Sequence, residues 1–77
     1  MINTKVGVKS SNGIELEDGQ VIKIYDKEDA YKIAVDGYIW YTPSAFMVHN
    51  NKNNRDYLLY WYLKDDKGDQ YEIEVIV

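Results

Sequence analysis

The fold is decided at residues 31–42, which read YKIAVDGYIWYT. Apolar and polar side chains alternate on both sides of Asp36-Gly37, and a period of two is typical of β-strands. An Asp-Gly pair between two such runs favours a tight hairpin turn, because both turn positions need a positive φ. The stretch therefore predicts an antiparallel hairpin with strands near 30–36 and 38–42.

The same alternation continues in both directions along the chain, and turn clusters at Ser10–Gly13 and Asp18-Gly19 interrupt it. The sequence predicts strands near residues 4–9, 20–26, 30–36, 38–42, 57–64 and 70–77. Thr42 and Pro43 suit the cap and first position of a helix, so we expect one short 3₁₀ or helical turn near 43–47. The predicted fold class is all-β: a small antiparallel barrel, or a strongly bent sheet of five to six strands.

Residues 49–56 are all polar and include four asparagines, so we expect a loop there. The loop separates residues 4–48 from a C-terminal hairpin, 57–77, within a single domain that spans 1–77. The first strand of that hairpin is apolar on both faces, which is typical of a strand covered on both sides. The predicted core comprises Val6, Val8, Leu16, Ile22, Ile24, Ile33, Val35, Trp61, Ile73 and Val75.

The composition excludes several classes of protein. The chain has 77 residues, no cysteine, one histidine and a net charge of −4. Disulfides and thiolate zinc sites are therefore excluded, and the acidic balance argues against direct nucleic-acid binding through phosphate contacts. No apolar run reaches the roughly 20 residues of a membrane span. We expect a cytoplasmic protein that contacts no membrane.

Residues suited to catalysis or metal binding are few. His49 is the only histidine, and it lies at the border of the predicted loop. Asp65, Asp66 and Asp69 surround Gly68, but they lack the spacing of a calcium-binding loop and its final glutamate. We expect no catalytic site, no metal and no cofactor.

Three segments between residues 16 and 48 follow a family pattern. They read LEDGQVIKI at 16–24, AYKIAV at 30–35 followed by Asp36-Gly37, and WYTPSAFM at 40–47. Together they resemble a bacterial SH3-type (SH3b-like) barrel. The resemblance implies a five-stranded, partly open barrel with a 3₁₀ turn at 43–46.

The resemblance also bears on ligand binding. Pro43 and Phe46 match the proline and tyrosine positions of the aromatic groove with which SH3 domains bind proline-rich peptides. Ala30 stands where the family has a tryptophan, and Trp40 stands where these domains usually have glycine. The first strand also lacks the family's tyrosine motif. We therefore do not expect polyproline recognition.

Aromatic residues carry the remaining functional signal, since the chain has eight tyrosines and two tryptophans. Tyrosine and tryptophan are favoured at binding surfaces because they offer a large contact area with a polar tip. Tyrosine also fits half-buried sheet positions without any binding role, and that interpretation stays open. The candidate binding residues are Tyr38, Trp40, Tyr41, Pro43, Phe46, Tyr60 and Tyr62.

Two functional hypotheses follow from the sequence. The first is a non-catalytic module that contacts a protein partner, or a second copy of itself as a homodimer, through these aromatic residues. The second is an acidic inhibitor or decoy that occupies a basic site of a nucleic-acid-handling enzyme. The second hypothesis requires one continuous acidic face formed by Glu15, Glu17, Asp18, Asp26, Glu28 and Asp29.

Overall fold

The structure is a computed structural model that describes residues 5–63 and 70–77. Within these residues the chain forms seven strands and two short 3₁₀ turns, which confirms the predicted all-β class. The strands are β1 (Lys5–Lys9), β2 (Glu15–Glu17), β3 (Val21–Asp26), β4 (Lys32–Tyr41), β5 (Phe46–Asn50), β6 (Arg55–Leu58) and β7 (Tyr71–Val75). The 3₁₀ turns lie at Lys27–Asp29 and Leu59–Tyr62.

Five of the strands form one antiparallel sheet in the order β6-β5-β4-β3-β7, and β1 pairs with β2 in a separate two-stranded sheet. Successive strands β6 and β7 therefore lie at opposite edges of the larger sheet. The 3₁₀ turn Leu59–Tyr62 contacts β5, β6 and β7. The sheet must bend around this turn, because one short segment touches both of its edges.

The predicted hairpin at Asp36-Gly37 is wrong, because β4 runs through both residues without reversing. Gly37 is buried and pairs with Ile22 of β3 on one side and Asn50 of β5 on the other. A Cβ atom at this position would collide with the backbone carbonyl of His49. The glycine therefore allows two strands to pack closely, and such a close approach of backbones is a common reason for glycine within a strand.

The chain reverses between β3 and β4 at the 3₁₀ turn Lys27–Asp29. The Asp26 side chain caps this turn by accepting a hydrogen bond of 3.0 Å from the backbone N–H of Glu28. Ala30 and Tyr31 follow with φ of 52° and 58°. Two left-handed residues in succession end the turn and direct the chain into β4.

The predicted 3₁₀ or helical turn near 43–47 is also wrong, because these residues include a tight hairpin turn between β4 and β5. The backbone N–H of Thr42 donates to Ala45 O at 2.9 Å, and the N–H of Ala45 donates to Thr42 O at 3.2 Å. The Thr42 hydroxyl accepts from the N–H groups of Ser44 and Ala45. Thr42 thus caps a turn, as its residue type suggests, but the turn leads directly into β5.

The loop predicted at 49–56 is shorter than expected, because the β5–β6 turn occupies only residues 51–54. Asparagine side chains close it: Asn50 Oδ1 accepts from Lys52 N, and Asn53 Oδ1 accepts from Arg55 N. The turn ends at Asn54, whose φ is 57°. Two residues at each end of the predicted loop therefore belong to strands.

The strand predicted at 57–64 ends at Leu58, and a 3₁₀ turn follows it. This change of backbone buries Leu59 and leaves Trp61 61% exposed, so Trp61 is not a core residue. The predicted hairpin 57–77 is wrong as well, because β6 pairs with β5 and β7 pairs with β3. Asp65, Asp66 and Asp69, which lack the spacing of a calcium-binding loop, lie outside the described residues.

Side-chain amides cover the backbone at two strand edges. The Asn12 carboxamide accepts from Val75 N at 3.3 Å and donates to Val75 O at 2.9 Å, on the edge of β7. The Gln20 carboxamide accepts from Glu17 N at 2.9 Å and donates to Glu15 O at 2.8 Å, along β2. Each amide supplies the donor and acceptor that a further strand would otherwise provide.

The core lies between the inner face of the five-stranded sheet, β2 and the second 3₁₀ turn. Its buried apolar residues are Leu16, Ile22, Ile24, Val35, Ile39, Val48, Leu59, Ile73 and Val75. The prediction is confirmed for Leu16, Ile22, Ile24, Val35, Ile73 and Val75.

Three other predicted core positions differ from the structure. Val8 is exposed, while Val6 and Ile33 are half-buried. A register shift after Ile24 places Ile33 opposite Tyr25, away from the buried side chains. The buried side of β4 therefore begins at Val35, and Ile33 lies outside it.

Candidate binding surface on the outer face

The outer face of the five-stranded sheet is the side away from the core, and one row of side chains crosses it from edge to edge. Val21 pairs with Tyr38, Tyr38 with His49, and His49 with Asp56. Ile76 extends the row at the β7 edge, since its N–H donates to Val21 O at 2.9 Å. Directly opposed residues of antiparallel strands share a face. Val21, Tyr38 and Ile76 are all exposed.

Four side chains in and beside this row form what we name the aromatic corner: Tyr38, Trp40, His49 and Asp56. The rings of Tyr38 and His49 stack with centroids 5.1 Å apart and planes inclined by 26°. His49 Nδ1 lies 3.0 Å from Asp56 Oδ1. Trp40 Nε1–H donates to the same oxygen at 2.9 Å. A single carboxylate oxygen of Asp56 therefore fixes the rings of Trp40 and His49.

Strand alternation and register explain how the corner is assembled. Tyr38 and Trp40 are two residues apart in β4 and therefore point to the same face. The 51–54 turn sets the register that places Asp56 opposite His49. Since β5 separates β4 from β6, the Trp40 indole must extend across β5 to reach Asp56. The indole covers this part of the sheet and stays half-buried.

The other half of the outer face is charged. Lys23 pairs with Asp36 on one side and Glu74 on the other, and Tyr25 pairs with Glu72. The Tyr25 hydroxyl donates to Glu74 Oε1 at 3.0 Å. This hydrogen bond to an anionic acceptor, together with a partial loss of hydration, raises the pKa of Tyr25. The outer face therefore has an aromatic half and a charged half.

The candidate residues predicted from the sequence lie in three separate places. Tyr38 and Trp40 belong to the aromatic corner. Tyr41 and Phe46 pair on the core side, with ring centroids 5.1 Å apart, and exposed Pro43 lies in the turn that joins their strands.

The remaining two candidates lie in the second 3₁₀ turn. Tyr60 is 75% exposed. Tyr62 is half-buried and meets Tyr71 edge-on, with centroids 4.9 Å apart. Burial, and then the neighbouring Tyr71 and Tyr57, raise the pKa of Tyr62. The seven candidates therefore do not form one patch.

Sequence reasoning missed His49, Asp56 and Val21 as members of the surface. His49 and Asp56 were assigned to the loop because every residue from 49 to 56 is polar. A four-residue asparagine-rich turn flanked by residues that pair across it would have been the available signal. The omission matters because Asp56 is the group that holds Trp40 in place.

A cavity of about 290 Å³ lies on the core side, between the β1–β2 pair, the end of the second 3₁₀ turn and β7. Its lining mixes apolar residues such as Leu16 and Ile73 with Lys27 and Glu72. Among the residues that the structure describes, no three histidine or carboxylate side chains are grouped to hold a metal ion. The aromatic corner has the more defined geometry, with three directed contacts.

Comparison with known proteins finds no matching protein family, no similar characterised protein and no similar solved structure. No helix in residues 5–63 and 70–77 is long and apolar enough to cross a membrane. The function is therefore inferred from the geometry of the outer face.

Proposed function

We propose that this protein is a non-catalytic binding module that contacts a protein partner through the aromatic half of its outer face. The observation that carries the proposal is the shared Asp56 oxygen, which holds Trp40 beside the Tyr38–His49 stack. Aromatic side chains fixed before binding lose little conformational entropy when a partner arrives. Exposed Val21 and Ile76 extend the apolar area next to the corner.

The proposed architecture is an SH3-like, partly open barrel. Two features support it: the larger sheet has five strands, and a 3₁₀ turn contacts both of its edge strands, β6 and β7. One feature departs from the resemblance, since this 3₁₀ turn lies at Leu59–Tyr62 instead of 43–46. Pro43 and Phe46 do not approach Tyr38 in the pairing of β4 and β5. A proline-rich ligand is therefore not part of the proposal.

The acidic decoy receives less support from the placement of its carboxylates. Asp18 precedes β3, while Glu28 and Asp29 follow it. Six strand residues separate the two groups, a span of about 20 Å at roughly 3.4 Å per residue. Asp18 also accepts a hydrogen bond from the N–H of Tyr41, at the far end of β4 from the second group. Two acidic ends do not make the continuous face that a decoy requires.

The proposal is tested by affinity capture with matched variants, followed by binding measurements with the purified partner. The test variant is Tyr38→Ala, and the control is Tyr60→Ala, which removes an even more exposed tyrosine outside the surface. We expect a partner retained by the wild type and the control, with at least about tenfold weaker binding to the test variant. Equal binding to all three proteins would rule out the outer face.

Self-association is tested with the same proteins by analytical ultracentrifugation. If the partner is a second copy, the wild type and Tyr60→Ala will dimerise with rising concentration, and Tyr38→Ala will remain a monomer. A dimer that persists in Tyr38→Ala would place the interface elsewhere and contradict the proposal.

A further inference from the structure

We infer that the aromatic corner binds a cationic side chain, lysine or arginine, from a basic segment of the partner. This inference rests on the proposed function and adds the chemistry of the ligand to it. It depends on three features of the corner: a partly exposed tyrosine ring, a carboxylate oxygen without a hydrogen-bond partner among the described residues, and the acidic charge of the surrounding face.

The first feature is the pair of aromatic rings of Tyr38 and Trp40. One face of the Tyr38 ring lies against His49, and the residue is still 40% exposed, so part of the ring is open to solvent. The Trp40 indole cannot turn freely, because its N–H is bonded to Asp56. A cation within about 6 Å of such a ring is attracted by the negative face of its π-system.

The second feature is the Asp56 carboxylate. Its Oδ1 accepts from Trp40 and contacts His49, whereas Oδ2 has no hydrogen-bond partner among the described residues. The side chain is 41% exposed. A carboxylate oxygen that faces solvent beside aromatic rings suits a guanidinium or ammonium group, which combines a charge-assisted hydrogen bond with a ring contact.

The third feature is the charge of the outer face. Its described residues include four carboxylates, at Asp36, Asp56, Glu72 and Glu74, and one lysine, Lys23. Lys23 lies between Asp36 and Glu74 in the register of the strands, so acidic groups outnumber basic ones on this face. The chain as a whole carries −4. A basic segment is attracted to this face, and an acidic segment is repelled from it.

The experiment titrates ¹⁵N-labelled protein with three acetylated and amidated peptides, made of Gly-Arg, Gly-Gln or Gly-Glu repeats of equal length. The readout is the indole N–H resonance of Trp40, assigned with Trp40→Phe. We expect the Gly-Arg peptide to shift this resonance, and the Gly-Gln peptide to bind at least about tenfold more weakly, because it lacks the cation. The Gly-Glu peptide should not bind.

Two variants locate the interaction. Asp56→Asn keeps an oxygen that accepts from Trp40 but removes the negative charge, and it should weaken Gly-Arg binding about tenfold. Tyr38→Ala removes the partly exposed ring and should weaken binding about three- to tenfold. Tyr60→Ala is the control, and its affinity should equal that of the wild type. Higher salt should weaken wild-type binding.

The outcomes separate this inference from the proposed function. Equal binding of the Gly-Arg and Gly-Gln peptides, or Gly-Arg binding that survives both Asp56→Asn and Tyr38→Ala, would overturn the inference. Absence of Gly-Arg binding would overturn it too, even if a captured partner still depends on Tyr38. In that last case the proposed function stands and its ligand is not cationic.

Discussion

The two faces of the five-stranded sheet carry different kinds of side chain. Most of the buried residues on the inner face of the sheet are aliphatic, and the two that are not are Gly37 and Asn50. The outer face has an aromatic half and a charged half, and a single carboxylate, Asp56, holds the rings of the aromatic half. Substitutions on the inner face should therefore change stability, and substitutions on the outer face should change binding.

The largest expected effect is that of Gly37→Ala. The new methyl group would meet the His49 carbonyl, so β4 and β5 would have to separate. We expect a loss of about 4 kcal/mol in the free energy of unfolding, measured by urea denaturation. Gly19→Ala is the control: nothing lies near its Cβ, but its φ is 88°, and we expect a loss of about 1 kcal/mol. Similar losses in the two variants would contradict the packing role of Gly37.

The next effect is that of Leu59→Ala, which tests whether the second 3₁₀ turn anchors the inner face. Leu59 is fully buried, and its truncation should cost about 3 kcal/mol through lost burial and a cavity. Trp61→Ala, two residues on in the same turn, should change stability by less than about 0.5 kcal/mol, because Trp61 is exposed. Thermal unfolding of both variants decides whether Leu59 or Trp61 belongs to the core.

Asn50→Ala probes the one buried amide of the inner face. Asn50 Oδ1 accepts from Asp36 N at 3.3 Å, and Nδ2 donates to Ala34 O at 3.4 Å. Removal leaves these groups without side-chain partners and should cost about 2 kcal/mol in urea denaturation. Asn51→Ala, at an exposed position beside it, should be nearly neutral. A neutral Asn50→Ala would show that the amide is dispensable.

On the outer face, Trp40→Phe keeps a ring but loses the hydrogen bond to Asp56. We expect a loss of about 1 kcal/mol in unfolding free energy, because the bond is partly exposed. The free energy of binding to the partner should fall by more than the free energy of unfolding, because Asp56 no longer holds the ring at position 40 in place. Trp61→Phe is the control and should change neither quantity. If Trp40→Phe lost stability but kept full affinity, the expectation that outer-face substitutions act mainly on binding would be wrong.

The smallest effect concerns the charged half of the outer face. The pKa of Tyr25 is raised by its hydrogen bond to Glu74, so its neutral form is favoured in the folded state. The corresponding stability is present below the ordinary tyrosine pKa of about 10 and is lost as pH rises through the raised value. NMR titration should show the Tyr25 pKa fall in Glu74→Gln. Glu72→Gln, whose carboxylate acts on Tyr25 more weakly, should move it less.

Strand alternation was enough to predict the class of the fold and most of the core. Ile22, Ile24 and Val35 follow a period of two, and all three are buried as expected. The same local pattern failed at Gly37, because an Asp-Gly pair suits both a tight turn and a close contact between strands. The difference lies in what β5 places opposite the glycine, which is a property of the assembled sheet.

The aromatic corner was only half predictable for a related reason. Tyr38 and Trp40 are recognisable from the sequence, but Asp56 joins them only through the register of β5 and β6. An error of two residues at each end of the predicted loop removed His49 and Asp56 from their strands. The pairing of β7 with β3 was missed because nothing local connects segments so far apart in the chain.

The Asn12 side chain affects how readily another chain can add to the β7 edge. An edge strand with free backbone groups is a template for another chain, and a growing fibril needs two such edges on every subunit. At the β7 edge, Asn12 occupies both backbone groups of Val75, and the N–H of Ser11 donates to the carbonyl of Ile73. The opposite edge is β6, only four residues long. Because these groups of β7 are already occupied, a further strand pairs less readily with the β7 edge, and a side-chain amide opposes fibril growth there.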